Sequence, residues 1–199
     1  MMNDYLESID RSIVLAVNNW NSPFWDEFMW IVSAKLTWIP FYLLLLVLFS
    51  RKNGIKQSIF FLLGVILAVA IADLSSVHMF KEVFQRYRPS HHALLSDQLH
   101  FYQIDSENVY KGGQYGFVSS HSANFFAVCT FAYLALRSFY RRISILLISV
   151  VVLIGYSRLY LGVHYLSDVL VGGLVGIGSA FLSYRIVFLP LTRKFKKSQ

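Results

Sequence analysis

A chain of 199 residues that is 56% hydrophobic, 17% aromatic and only 15% charged is too apolar for an ordinary soluble domain, where about a quarter of residues are charged. The formal net charge of +7 does not mark a nucleic-acid partner. The basic residues gather in short segments beside apolar runs, as membrane topology requires. The reading is a single all-α domain over residues 1–199, a polytopic membrane helix bundle with its core at 25–190. Cys129 is the lone cysteine, so no intrachain disulfide is possible and cysteine says nothing of compartment.

Residues 1–22 read as an interfacial segment, with an amphipathic helix over 3–20. Tyr5, Ile9, Ile13, Leu15 and Val17 supply its apolar side, and Asp4, Glu7, Asp10 and Arg11 its polar side. The apolar run from Ile13 to Val17 is short, so no signal peptide is expected. Asn18 to Pro23 is turn-like, and Phe24, Trp25, Trp30 and Trp38 suggest an interfacial aromatic belt.

Five spans follow, at residues 28–49, 57–79, 120–136, 143–156 and 166–189. Lys35 falls inside the first, and Asp73, near the end of the second, is expected to face the bundle interior. The fourth is short and lengthens if Tyr156 to Tyr160 stay helical. The fifth contains Gly172 and Gly176, a small-xxx-small spacing suited to close helix contact.

Arg51 to Lys56, Arg137 to Arg142 and the basic tail at 191–199 mark the cytoplasmic side. An odd number of spans then places residues 81–118 and 157–168 together on the outer side. A sixth span results if the N-terminal helix inserts, which leaves those segments where they are.

Three outer segments carry chemistry. In Ser157–Asp168, His164 and Asp168 are four apart, one turn on a helix. The carboxylate can then accept a proton from one imidazole nitrogen and leave the other free to attack. Arg158 lies off that face unless Gly162 bends the chain, and a guanidinium suits a phosphoryl oxygen pair. In Lys81–Pro89, Lys81 and Arg88 are seven apart, two helical turns, and Pro89 disfavours helix at Arg88. Val118-Ser119-Ser120-His121 opens the third span with hydroxyls and free N–H groups, a ready anion site, and places His121 to donate a proton.

Each residue also has a bland reading. Lys81 and Arg86 would serve as interface anchors, Ser119 or Ser120 as an N-cap, and His121 as a satisfied buried histidine. What argues against these readings together is convergence: three cations and two histidines on one side suit a phosphate ester.

These segments resemble the signature of the type 2 phosphatidic acid phosphatase family, which shares its site with vanadium haloperoxidases. The family pattern is lysine, six residues, arginine-proline; proline-serine-glycine-histidine; then serine-arginine, five residues, histidine, three residues, aspartate. Lys81 through Arg88-Pro89 and Ser157-Arg158 through His164 to Asp168 match it completely. The middle segment departs, with Val118 for proline and Ser120 for glycine. The resemblance covers residues 25–190. It implies His164 as nucleophile of a phosphohistidine, Asp168 orienting it, and His121 as general acid. Lys81, Arg88, Arg158, Ser119 and the Ser120 amide would hold the phosphoryl oxygens. It implies no metal or other cofactor.

Asp73 has no part in the motifs and is expected to pair with Lys81 or Arg88. His91, His92 and His100 lack an accompanying ligand set, and a zinc site is not expected. The aromatic loop 90–117 is long, and a short interfacial helix or flap walling the lipid entry is one expectation, an inert segment resting on headgroups the other.

The leading functional expectation is a membrane phosphatase acting on a phosphorylated lipid at the outer leaflet of a bacterial inner membrane. Undecaprenyl diphosphate, phosphatidylglycerol phosphate, phosphatidic acid and lipid A are the candidate substrates. A transporter or flippase for a phosphorylated lipid or solute is the alternative, with Lys35 and Asp73 as pathway residues. It lacks the paired broken helices of inverted repeats. A haloperoxidase is disfavoured by a site among membrane spans.

Overall fold

A computed structural model describes residues 2–197, with side chains for residues 5–194. Asp4 of the first helix, and Lys196 and Lys197 of the basic tail, therefore have side chains outside the described residues. The described chain is all-helical, with only the isolated bridges Tyr87–Tyr115 and Gln103–Val109 pairing in β fashion.

Helix α1 spans Met2–Asn18 and α2 spans Pro23–Ser33. Ser22 caps α2 by accepting from the Trp25 amide, and Pro23 opens it, the preferred start. One face of α1 packs on the protein: Asp10, Val14 and Asn18, each four residues on, are buried. The Asn18 amide nitrogen donates to the carbonyls of Tyr160 (2.7 Å) and His100 (2.8 Å), and its oxygen accepts from the His100 amide at 2.7 Å. The helix is thus pinned to the protein, beyond resting at an interface.

The expected first span is two pieces. Ala34 is extended and ends α2; a 3₁₀ turn, Lys35–Trp38, follows, and Pro40 then starts α3, Ile39–Leu74. Lys35 stands exposed on that turn, at the start of the apolar stretch that continues into α3. Of the belt aromatics, Phe24 and Trp25 are exposed, whereas Trp30 and Trp38 turn into the protein. Trp30 stacks on Tyr102, and the Trp38 indole donates to the Val32 carbonyl.

Gly54, at φ 77° and ψ 170°, breaks α3 inside its basic segment. A Cβ makes that conformation costly for other residues. Phe49 and Phe61 stack at 4.6 Å although twelve residues separate them. A continuous helix would hold them about 18 Å apart, so the chain reverses at Gly54. The second arm continues through a π-helical stretch, Ser75–Lys81, into the short α4, Glu82–Phe84.

Among the described residues, three helical stretches are long and apolar enough to cross a membrane: Lys35–Phe84, which includes the break, Ile143–Tyr160, and Leu166–Lys194. Helix α5, Ser120–Leu136, lies between them and is the most enclosed, packed by α3, α6 and α7. Helix α6 is Ile143–Tyr160; α7, Leu166–Ser183, runs through a π-helical Tyr184–Phe188 into α8, Leu189–Lys197. Leu43, Leu44 and Ile66 on α3, Ile148 and Val152 on α6, and Leu170 and Leu174 on α7 stand exposed. Water would penalise such a belt, and hydrocarbon would not.

Gly172 and Gly176 let α7 close on α5. A Cβ at Gly172 would lie 2.6 Å from the Ser119 carbonyl oxygen. That contact joins the N-terminal ends of the two helices, where the polar residues gather.

Candidate active site

Helix α6 ends at Tyr160, and Gly162, at φ 65°, turns the chain before α7 begins at Leu166. Arg158, on the last turn of α6, comes within electrostatic reach of His164 in the loop that follows. His164 is not on a helix face shared with Asp168. Tyr165 is the N-cap of α7 and Asp168 its third residue, in a capping box. The Asp168 Oδ2 accepts from the Tyr165 amide at 2.9 Å and lies 3.4 Å from His164 Nδ1. Cap geometry, and not helical register, makes the pair.

Lys81 and Arg88 are likewise not joined by a common helix face. Gln85 takes a left-handed conformation, φ 46° and ψ 33°, which ends α4 before Arg88 is reached. The chain then runs extended into Pro89, as a residue before proline does. Arg88 folds back under the loop: its Nε donates to the Tyr115 carbonyl at 3.1 Å, and Nη1 to the Val163 carbonyl at 3.3 Å. Nη1 also lies 3.2 Å from His164 Nε2. Lys81 donates to the Ser120 hydroxyl at 2.6 Å, which also meets Ser76 at 2.6 Å.

Ser119 caps α5, its hydroxyl accepting from the Ser122 amide at 3.4 Å, and its own amide donates to the Asp168 carbonyl at 3.0 Å. His121, half-buried on the first turn of α5, lies within electrostatic reach of Arg158, His164, Lys35 and Arg88. Arg158 is 1% exposed. Its guanidinium donates to the Ser33 hydroxyl and to the Tyr110 hydroxyl, the latter at 3.0 Å, while its buried Nε has no partner.

The loop 90–117 carries two short 3₁₀ turns, Pro89–His91 and Ser96–Gln98, and then passes beside Arg88 and Arg158. Gly112, at φ 66°, and Gly116 let its backbone lie against Arg88; a Cβ at Gly112 would come within 2.8 Å of Nη1. Tyr110 covers Arg158 and packs edge-on against Trp30.

Burial and then the cations Arg88, Arg158 and Lys81 hold the His164 imidazole well below its ordinary pKa, so it is neutral near pH 7. Burial, then Arg158, lowers Arg88 to about 10, still a cation. A neutral imidazole keeps a free ring-nitrogen lone pair, and the cations around it favour negative charge at the same place.

All eight expected site residues thus lie at the same ends of α5, α6 and α7. Asp73 is exposed; its carboxylate accepts from Asn124 at 2.9 Å and lies within electrostatic reach of Lys81 without closing an ion pair with it or with Arg88. His91, His92 and His100 go to separate partners, Ser90, Arg11 and Asp26. Among the described residues no group of three or more histidine, cysteine or acidic side chains is placed to hold a metal.

Sequence reasoning missed Arg86, which is no interface anchor. Its Nη1 meets Asp168 Oδ1 at 3.0 Å and its Nη2 meets Asp10 Oδ2 at 2.9 Å. Tyr110 and Ser33 were missed as well. The available signal was the spacing of Asp10, Val14 and Asn18, a polar–apolar–polar stripe on one face of α1.

An all-helical chain with membrane-like helices and this polar end belongs among membrane phosphatases. More narrowly, the chain belongs to the PAP2 superfamily, whose family model matches residues 57–190. It is 32% identical over 190 residues to a lipid A 4'-phosphatase of Porphyromonas gingivalis, covering 96% of this chain and 78% of that protein. A lipid A 4'-phosphatase of Bacteroides thetaiotaomicron is 30% identical over 186 residues, covering 93% of this chain and 80% of the relative. Two crystal structures share the fold at 23% identity. The transmembrane PAP2-type phosphatidylglycerolphosphate phosphatase of Bacillus subtilis has a TM-score of 0.63, over 90% of this chain and 84% of that one. LpxE of Aquifex aeolicus has a TM-score of 0.60, over 87% and 93%.

Proposed function

We propose that this protein removes a phosphate monoester from the headgroup of lipid A, at the outer leaflet of a bacterial inner membrane. The observation that carries the chemistry is the grip on His164. Asp168 holds Nδ1, and Arg88 Nη1 stands 3.2 Å from Nε2. A phosphoryl oxygen bound by Arg88 is thereby brought against the nitrogen that attacks. The relatives' activity supports the choice of lipid A among phosphorylated lipids.

His164 Nε2 attacks phosphorus as the ester P–O bond breaks, and His121 gives its proton to the departing oxygen. Water then attacks the phosphohistidine and loses its proton to His121; the N–P bond breaks and inorganic phosphate leaves. Lys81, Arg88 and Arg158, with Ser119 and the Ser120 amide, stabilise charge on the equatorial oxygens. The unpartnered Arg158 Nε is a buried donor available for that work. With so many fixed donors the reaction requires no metal.

Five spans fit this reading, one domain with two arms of α3 on either side of Gly54, then α5, α6 and the α7–α8 rod. Arg51 to Lys56 and Arg137 to Arg142 fall at turns opposite the site, which favours a periplasmic active site.

The test is phosphate release by purified protein in detergent from a panel of lipid A, phosphatidylglycerol phosphate, phosphatidic acid and undecaprenyl diphosphate. Lipid A is expected to turn over fastest, at its 4'-phosphate, and His164→Ala to release nothing. Preference for another lipid would overturn the substrate, and binding without release by the wild type would favour a carrier.

A further inference from the structure

Asp10 and Arg86 are buried or half-buried charges that the reaction as written does not use. They meet across the chain: Asp10 is on α1, Arg86 lies just beyond α4, and both touch the residues that open α7. Arg86 uses its two terminal nitrogens separately. Nη1 donates to Asp168 Oδ1 at 3.0 Å and to the Ser167 hydroxyl at 2.7 Å, and Nη2 donates to Asp10 Oδ2 at 2.9 Å. Its guanidinium lies 4.1 Å over the Tyr165 ring. Asp10 accepts from the Ser167 amide at 3.0 Å and from the Ser167 hydroxyl.

An anchor for α1 would need only the Asp10–Ser167 bonds. The contact with Asp168 does something further. The two oxygens of that carboxylate are divided, Oδ2 facing His164 and the Tyr165 amide, Oδ1 facing Arg86. Fixing Oδ1 fixes the carboxylate's rotation, and so the oxygen presented to the imidazole. The side chains of Asp168 and Asp10 are 0% and 9% exposed, so water does little to compete for these bonds. Outer partners of this kind set the orientation of the group that does the chemistry.

We propose that Arg86, held in place by Asp10, is a positioning residue for the Asp168–His164 pair, so that helix α1 completes the catalytic apparatus. The charges alternate along it: Asp10, Arg86, Asp168, then the imidazole. This rests on the reading that His164 attacks phosphorus.

The experiment measures kcat, KM and thermal midpoint in detergent for R86Q, R86K, D10N, D10N/R86Q and H164A, on lipid A with rates per folded protein. R86Q is expected to lower kcat about tenfold to hundredfold, as lost outer-shell partners do, with KM within about twofold. R86K keeps the charge but not the fork, and is expected between R86Q and wild type. D10N is expected to lower kcat less, and D10N/R86Q to match R86Q within about twofold, because Asp10 acts through Arg86.

A purely structural role gives another pattern: lower thermal midpoints and less folded protein at wild-type kcat. That result overturns the proposal. Should R86Q not fold, R86K and D10N carry the same test, and unchanged kcat in both overturns it equally. H164A separates the two levels. Turnover surviving in H164A would refute the nucleophile itself, whereas a dead H164A beside a fully active R86Q would refute only the positioning role.

Discussion

Gly172→Ala places one methyl group between α5 and α7. Its carbon would lie 2.6 Å from the Ser119 carbonyl oxygen, about 0.8 Å short of ordinary contact near 3.4 Å. The obstacle is backbone, held by the Ser119 amide bond to the Asp168 carbonyl at 3.0 Å, so no side chain can swing aside. The helices must part by most of that distance. Overpacking of this kind costs about 1–3 kcal/mol. The displaced residues are Ser119 and Ser120 on one side and the start of α7, with His164 and Asp168, on the other. A misplacement approaching 1 Å at a reacting centre can lower the rate about a hundredfold. Gly178→Ala is the control on the same helix: nothing lies within 4 Å of its Cβ, and alanine should stabilise the helix by up to about 1 kcal/mol. Thermal unfolding in detergent and kcat/KM for phosphate release give both readouts. A Gly172→Ala enzyme as stable and active as Gly178→Ala would refute the view that this contact sets the spacing of the site.

In the proposed reaction the His164 imidazole must be neutral to attack, and Arg88 is one of the cations that hold its pKa down. Arg88→Gln therefore raises that pKa, and the acid limb of kcat/KM should move to higher pH than in wild type on the same substrate; an unmoved limb would contradict the assignment. Lys81→Met removes a charge-assisted donor from the proposed phosphate site and from the Ser120 hydroxyl, and should lower kcat/KM about 10–100-fold, worth about 1.5–3 kcal/mol. EDTA should leave the rate unchanged, and a loss restored by a divalent cation would show a metal at work. Asn18→Ala strands the Tyr160 carbonyl and the His100 backbone, and should destabilise the protein by about 2–4 kcal/mol, seen as a lower thermal midpoint.

The sequence shows the site better than the path by which it is assembled. Lys81, Arg88, Ser119, Ser120, His121, Arg158, His164 and Asp168 are legible because their spacing is local and their chemistry unusual beside a membrane. Helical register, however, misjudges how they meet. Gln85 breaks the helix between Lys81 and Arg88, and His164 precedes its helix, paired to Asp168 through a cap. The helix expected near 120–136 appears as α5, Ser120–Leu136, because Ser119 caps it and Arg137 follows it. The first is not, since Ala34 to Trp38 is apolar enough to pass for helix yet is an extended residue and a 3₁₀ turn. Arg86 and Asp10 were hidden because their meeting depends on how α1 returns across the site, 76 residues apart along the chain. Asp73 was legible in part: Lys81 lies within its electrostatic reach, but its hydrogen-bond partner Asn124 lies on another helix, with no charge to announce it.

A covalent bond between phosphorus and the His164 ring is the centre of this account. Rapid mixing of enzyme with lipid A, quenching in alkali and mass spectrometry of the digest would look for it directly. The expected result is an alkali-stable, acid-labile phosphoryl group on His164 that forms at least as fast as the enzyme turns over. Turnover at the normal rate with that residue unmodified at every time point, or a phosphoryl group on a different side chain, would contradict it.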